Sequence, residues 1–254
     1  MADRYFLNTG NVNWGVTTNW SATSGGPSVG AIPTSADTVY FDSNSGPCTV
    51  NVVGLCNSIN FTNYTNTITM TNGISVWGNI TLFSGMTISD IGGLTINANS
   101  TISPNSTIWP NNITVSGTTS TITINTSLLV ISGTLTLTVS TTFQGTFGFT
   151  TTNFTCNTVG LTHTLLTGLT YTVTGVMTTS GTAASHIILK STSTSVKSIF
   201  TLTGTQDNAF LDGTWIDSSG GQTIWTYGGT LSNTTNWIDF STFPFNTSFT
   251  FLGT

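Results

Sequence analysis

The sequence predicts an all-β chain wound as a single-stranded parallel β-helix, and three observations carry that expectation. Apolar and polar residues alternate at period two in short runs: Ile59 and Phe61, Ile68 and Met70, Ile80 and Leu82, Ile113 and Val115, Ile122 and Ile124, Leu135 and Leu137, Phe147 and Phe149. Alternation at that step turns one face of a strand inward. The runs also keep step along the chain, because Ile59, Ile80, Ile102, Ile122, Phe143, Leu165 and Ile187 are spaced by 20 to 22 residues. A second row, Ile68, Ile88, Ile108, Leu129, Phe149 and Leu169, steps by 20 or 21, and a looser third runs through Ile74, Ile96, Val115, Leu135 and Val173. Three rows in step predict three strands per coil. The competing fold, tandem β-sandwiches, would also show short strands but would not require the rows to keep step.

Corners between these strands are marked by residues that tolerate unusual backbone angles. They are Asn72-Gly73, Trp77-Gly78, Ser84-Gly85, Gly92-Gly93, Ser116-Gly117, Ser132-Gly133 and Thr174-Gly175. The coils span residues 48–205. Residues 1–47 have another texture, with Trp14, Trp20 and a Gly- and Pro-bearing stretch from Gly25 to Pro33, and read as an N-terminal cap. A cap is needed because an end coil would otherwise expose an apolar cross-section and unpaired strand edges. Residues 206–239, with Trp215, Trp225 and Trp237, read as the second cap, and 240–254 as a Phe-rich tail.

Composition narrows the function. Only 4% of the 254 residues are charged, against about 25% in an ordinary soluble domain. The eight acids are all Asp, and Thr, Ser, Asn and Gly fill the polar positions, a mix that suits strands and turns rather than helices. Hydrophobic residues make up 37%, with seven Trp, enough to pack a core rather than leave the chain disordered. A formal net charge of -5 with only Arg4, Lys190 and Lys197 as cations offers no footprint for nucleic-acid phosphates. The longest apolar runs, such as Leu128 to Ile131, are far below the roughly 18 residues of a membrane span. A basic segment followed by an apolar stretch, the mark of a secretory signal, is not visible at the N-terminus.

Groups that could carry chemistry are few. Cys48, Cys56 and Cys156 are odd in number and lack a CxxC pair, which predicts three buried small side chains rather than a zinc site or disulfide framework. Asp207, Asp212 and Asp217 are the densest acidic group, but their spacing of five turns neighbours on a straight strand opposite ways and no Glu or Arg stands near. His163 and His186 are 23 residues apart, close to one coil, which would stack them on adjacent rungs in a structural role rather than at a metal. Triplets such as Asn79-Ile-Thr and Asn112-Ile-Thr are expected in so Asn- and Thr-rich a chain and predict no glycans. The seven Trp suggest a sugar platform, with core packing as the plainer expectation. No catalytic, cofactor or metal residue is assigned.

Two stretches carry a resemblance. Arg4-Tyr-Phe-Leu, Gly10-Asn-Val-Asn-Trp14, Thr18-Asn-Trp20-Ser21 and Ile32-Pro33 through Asp37 to Phe41-Asp42 and Gly46, together with Trp215-Ile-Asp217-Ser-Ser-Gly220-Gly221, Ile224-Trp225 and Asn236-Trp237-Ile238, are similar to the opening and closing segments of right-handed β-helix proteins of tailed-phage virions and bacterial surfaces. The resemblance implies a non-enzymatic structural or adhesive protein: a capsid decoration, head fibre or tail component on the virion surface. Its implied partners are other virion proteins or copies of itself, a trimer among them, and a host-surface glycan. The alternative is an extracellular adhesin or carbohydrate-binding module at a bacterial surface, and a third reading is a tailspike-like glycan depolymerase.

In the tail, Phe243, Phe245, Phe249 and Phe251 all hold odd positions, so an extended strand would align four rings on one face, with Pro244 confining it to an edge. Burying four Phe side chains is worth on the order of 6 to 12 kcal/mol. The tail is therefore expected to pack against a partner surface, another copy of the chain or the particle beneath it, as an attachment element, the alternative being that it folds back over the last coil of its own chain.

Overall fold

The computed structural model describes residues 1–242 apart from 11, 91 and 119. Among these the only helical elements are two 3-10 turns, Thr17–Asn19 and Phe240–Thr242. The remaining regular structure is short strands stacked into a parallel β-solenoid of about nine turns. Each turn has three faces.

The first face is a 12-stranded sheet running from Asp3–Phe6 and Thr38–Tyr40 through Ser58–Asn60, Ile80–Thr81, Ser100–Ser103, Ser120–Ile124, Thr141–Gly145, Thr162–Leu165, Ile187–Ser191 and Leu211–Thr214 to Leu231–Ser232. All its pairings are parallel except at the outer edge, where Trp20–Ser21 lies antiparallel against Asp3–Phe6. The second face stacks Gly54–Cys56, Ile74–Val76, Leu94–Ile96 and Ile113–Val115. The third begins with Cys48–Thr49, Thr67–Met70 and Thr87–Asp90. The long strands Leu129–Leu137 and Phe149–Cys156 then serve both of these faces, bending at a register shift between Ile131 and Thr134. Ser132-Gly133 is thus a bend inside a continuous strand, whereas Gly93 and Gly117 are true corners at φ +75° and +91°.

The period-two reading places most of the core correctly. Val39, Ile59, Ile80, Ile102 and Ile124 form one buried column whose steps are 20, 21, 22 and 22 residues. Register is where the structure departs from the expected rows. Ile102 pairs with Ile124 rather than Ile122, and Ile74 with Leu94 rather than Ile96. A slip of two residues keeps every side chain on its own face, so hydrophobic pattern cannot distinguish the two registers. Later coils change length: His163 pairs with Leu189, Ile187 with Leu211 and Gly213 with Leu231, steps of 26, 24 and 18. The longest contains the turn from Thr182 to Ser185, closed by reciprocal backbone hydrogen bonds of 3.0 and 2.9 Å.

Three expected inward residues are displaced. Ile108 is 55% exposed while Trp109 beside it is 3% exposed, because Trp109 pairs with Ile131 and buries the larger apolar surface. Phe147 is 38% exposed, lying before the strand that begins at Phe149. Tyr171, not Leu169, carries the second row onward and pairs with Phe200.

Low charge has a structural counterpart at the corners. The Asn79 Oδ1 accepts from the Thr101 backbone N–H at 3.0 Å, Asn99 Oδ1 from Thr121 at 2.8 Å, Asn112 Oδ1 from Thr134 at 2.8 Å and Asn153 Oδ1 from Val176 at 2.9 Å. Each side chain pairs an N–H one coil further along, which helps satisfy the corner backbone without ionic partners. Asn79 and Asn112, the first residues of two Asn-x-Thr triplets, are thereby committed to coil stacking.

Gly145 shows how tightly the coils approach. Its φ is +108°, and a Cβ there would lie 2.2 Å from the Ile124 carbonyl oxygen and 2.7 Å from the Ile124 nitrogen. Gly145→Ala is expected to destabilise the protein by at least about 2 kcal/mol, combining backbone strain with a contact that only backbone movement can relieve. Gly168, at φ +78° with open space around it, should cost about 1 kcal/mol when changed to Ala. Urea midpoints of the two variants test this. Equal losses would show that the inter-coil contact does not matter.

Candidate functional site

The N-terminal end is closed by aromatic rings. Trp14 and Trp20 are fully buried and meet at 4.8 Å, while Phe6 lies 5.1 Å from Trp20 and 5.2 Å from Phe41. Phe41 continues the stack to Phe61 at 5.0 Å, and the Trp20 Nε1 donates to the Trp14 carbonyl at 2.8 Å. Asp37 locks the entry strand by accepting from Ala2 N at 3.1 Å and from Thr34 N and Oγ1 at 3.0 and 2.9 Å, with Arg4 Nε 3.7 Å away. Burial alone would raise its pKa, but the hydrogen bonds from Thr34 and Ala2 and the Arg4 charge outweigh it and hold the carboxyl below its ordinary value.

The other end differs. There Ile224–Thr226 pairs with Trp237–Asp239, and Tyr227, Ile238 and Phe240 are 52%, 37% and 37% exposed. Phe243, Phe245, Phe249 and Phe251, the expected attachment residues, lie outside the described residues.

The acids do not assemble. Asp207, Asp212 and Asp217 sit on three different strands, Thr205–Ala209, Leu211–Thr214 and Ile216–Asp217, one on each face of the solenoid. Asp207 is exposed. Asp212 accepts from Thr230 N at 2.6 Å and lies 2.8 Å from His186 Nδ1. Asp217 accepts from Ser219 N at 2.8 Å, and hydrogen bonds from Ser219 lead the influences that lower its pKa. Lys190 is exposed, whereas Lys197 is half-buried and donates to Thr235 Oγ1. Among the described residues no group of three or more His, Cys, Asp or Glu could hold a metal ion. No helix among them is long and apolar enough to cross a membrane.

The two histidines do not stack. His163 faces the core in register with Leu189, while His186 stands by Asp212 with its ring 5.6 Å from Phe210. The 26-residue coil moves them out of line. One pairing that spacing did not suggest joins Cys156 and His163 around a corner, with Sγ 2.6 Å from Nε2. Both are buried, and burial pushes the Cys156 thiol up to about 12 and the His163 imidazole down to about 4. These shifts favour the neutral thiol and neutral imidazole over a thiolate–imidazolium pair, the opposite of nucleophile activation. Cys48 and Cys56 are free and buried, with their thiols also raised by burial.

The outer faces carry hydroxyls in columns. Ser75, Thr95, Thr114, Thr136, Thr155 and Thr178 line up along the second face, one per coil. On the first face an open groove of about 320 Å³ is lined by Asn79, Asn99, Thr101, Thr121, Thr123 and Gln144, with Ser100. The tryptophans form no shared platform: Trp14, Trp20, Trp109 and Trp237 are buried, Trp215 and Trp225 are half-buried, and Trp77 is 36% exposed.

Fold and surface together define a three-faced, aromatic-capped parallel β-solenoid. Comparison with protein-family models, curated proteins and solved structures finds no match to this chain.

Proposed function

We propose that this protein is a non-enzymatic structural protein on the virion of a tailed phage, a capsid decoration, head fibre or tail component that projects its solenoid from the particle. The observation that carries this reading is that, among the described residues, the C-terminal end exposes aromatic side chains, whereas the N-terminal cap exposes only aliphatic ones such as Val12, Val29 and Ile32. One end is closed by buried Trp14 and Trp20 and an antiparallel edge strand, which blunts further strand addition. The other presents Tyr227 and Ile238 beside the last strand pair, with Phe240 at the start of the Phe-rich tail, and exposed apolar groups gathered at one end favour a partner surface. The C-terminal end then faces the particle and the hydroxyl-lined faces, which carry few charges, meet solvent. Dispersed acids and a neutral Cys156–His163 pair support a role without catalysis. The adhesin reading shares this architecture and differs only in what the C-terminal end is fixed to.

Gold-labelled antibody against the protein should mark phage particles from a lysate. Label confined to the bacterial cell surface would favour the adhesin. Deleting residues 241–254 should leave the β-type far-ultraviolet spectrum and melting temperature unchanged while abolishing assembly onto particles. A truncated protein that still assembles would end the attachment proposal.

A further inference from the structure

We infer that Asn72 is a site of self-modification, where the folded chain converts its own side-chain amide to aspartyl and isoaspartyl products, independently of what the solenoid is fixed to. Asn72-Gly73 is the one Asn-Gly step in the sequence. It forms the corner between Thr67–Met70 on the third face and Ile74–Val76 on the second, and both residues are half-buried. The corner is anchored on either side of the step: Asn72 N donates to the Val50 carbonyl at 2.9 Å, and the Gly73 carbonyl accepts from Gly54 N at 3.0 Å. Between those anchors, among the described residues, neither the Asn72 side-chain amide nor the Gly73 N–H takes a hydrogen-bond partner. An unengaged amide carbon and an unengaged backbone nitrogen are thus neighbours on the chain. Glycine adds no side chain to hinder the nitrogen's approach.

The four Asn-Ser steps, which are also followed by a small residue, are held differently. Asn44 Nδ2 donates to Ser24 Oγ at 2.8 Å, Asn57 Nδ2 to Ser58 Oγ at 3.4 Å and Asn105 Nδ2 to the Leu82 carbonyl at 2.7 Å, while Asn99 Oδ1 accepts from Thr121 N at 2.8 Å. Each of these amides must break a hydrogen bond before its carbon can swing to the next nitrogen. Asn72 breaks none.

The step needs only water as co-reactant. The Gly73 nitrogen attacks Asn72 Cγ, giving up its proton; the Cγ–Nδ2 bond breaks and ammonia leaves, closing a five-membered succinimide. Water then opens the ring. Cleavage at Cγ restores the main chain with an aspartate, whereas cleavage at the Asn72 carbonyl carbon routes the main chain through Cβ and Cγ as isoaspartate, one atom longer. That extra atom meets a tight contact. Gly92 of the next coil lies so close that a Cβ on it would stand 2.2 Å from the Asn72 carbonyl carbon and 2.5 Å from the Gly73 nitrogen. A lengthened main chain at residue 72 therefore pushes against backbone, and the isoaspartyl product loosens the stacking of these two coils.

The test holds full-length protein in ¹⁸O-labelled water at mildly alkaline pH, folded and in guanidinium, and follows each Asn by peptide mass spectrometry with fragmentation that separates aspartate from isoaspartate. Folding should slow labelling at Asn44, Asn57, Asn99 and Asn105 by at least about tenfold, the factor for one hydrogen bond that must first break. Asn72 should keep its unfolded rate within about threefold. The inference is overturned if Asn72 gains no label in the folded protein, or if folding slows it as much as the four held steps. Isoaspartyl protein, separated by charge, should melt at a lower temperature than Asn72→Asp, which gains the same charge without the extra atom. Equal melting would overturn the link between the modification and the coil contact.

Discussion

Replacing Phe149 by Ala is expected to remove about 3 to 5 kcal/mol of stability, the usual range for deleting a fully buried ring. Phe149 is completely buried where the second and third faces share one strand, with ring centroids of Phe143, Tyr171 and Phe154 at 5.1, 5.2 and 6.2 Å. It pairs in register with Leu129 below, so the vacated space would open between coils. A solenoid holds each coil only through its neighbours, so a loss at one interface weakens the coupling between the two halves. Thermal melting of the variant should therefore broaden or split as well as shift down. Phe147→Ala is the matched control. Phe147 is 38% exposed, and its removal should stay within about 0.5 to 1 kcal/mol. If the two substitutions cost the same, the assignment of Phe149 inward and Phe147 outward is wrong.

Acidification should destabilise the fold in two separate steps, the first belonging to His163. Burial lowers its folded pKa from 6.5 to about 4, so the unfolded chain takes up this proton more readily than the native one. Stability contributed by the neutral ring is present above pH 6.5 and is lost as pH falls from 6.5 toward 4. At about 1.4 kcal/mol per pH unit, the full loss is about 3 kcal/mol. Cys156 stays a neutral thiol throughout this window, since burial pushes it up to about 12. The second step lies below the ordinary carboxyl range, where Asp37, Asp217 and Asp239, whose folded pKa values are lowered, must be protonated. Urea midpoints at pH 7 and pH 4.5 should differ for the native protein and nearly coincide for His163→Leu. An unchanged pH dependence in that variant would assign the first step to another group.

The architecture was legible in the sequence to an unusual depth because strand periodicity is short and nearly every inward position is apolar. Ile59, Ile80, Ile122 and Phe143 could be placed on one face of one sheet without coordinates, and all four are buried on the first face. The Gly-bearing corners and the burial of the cysteines followed from conformational freedom and from the lack of ligand spacing. The groove was not legible, since Asn79, Asn99, Thr101, Thr123 and Gln144 are ordinary members of a Thr- and Asn-rich composition until stacking brings them side by side.

Alternation by itself determined which face most strands turn to the core, because successive side chains of a strand point to opposite sides. Tertiary structure alone decided which residue stacks on which, since registers two residues apart bury the same faces and differ only in how rings and corners fit. That choice brought Cys156 to His163 around a corner and separated His163 from His186 by lengthening one coil, while packing of the larger ring in register with Ile131 turned Trp109 inward in place of Ile108. The same choice lined up Thr101, Thr123 and Gln144 along one face. Contacts between coils are nonlocal, and their geometry depends on every turn length before them, which no local pattern records.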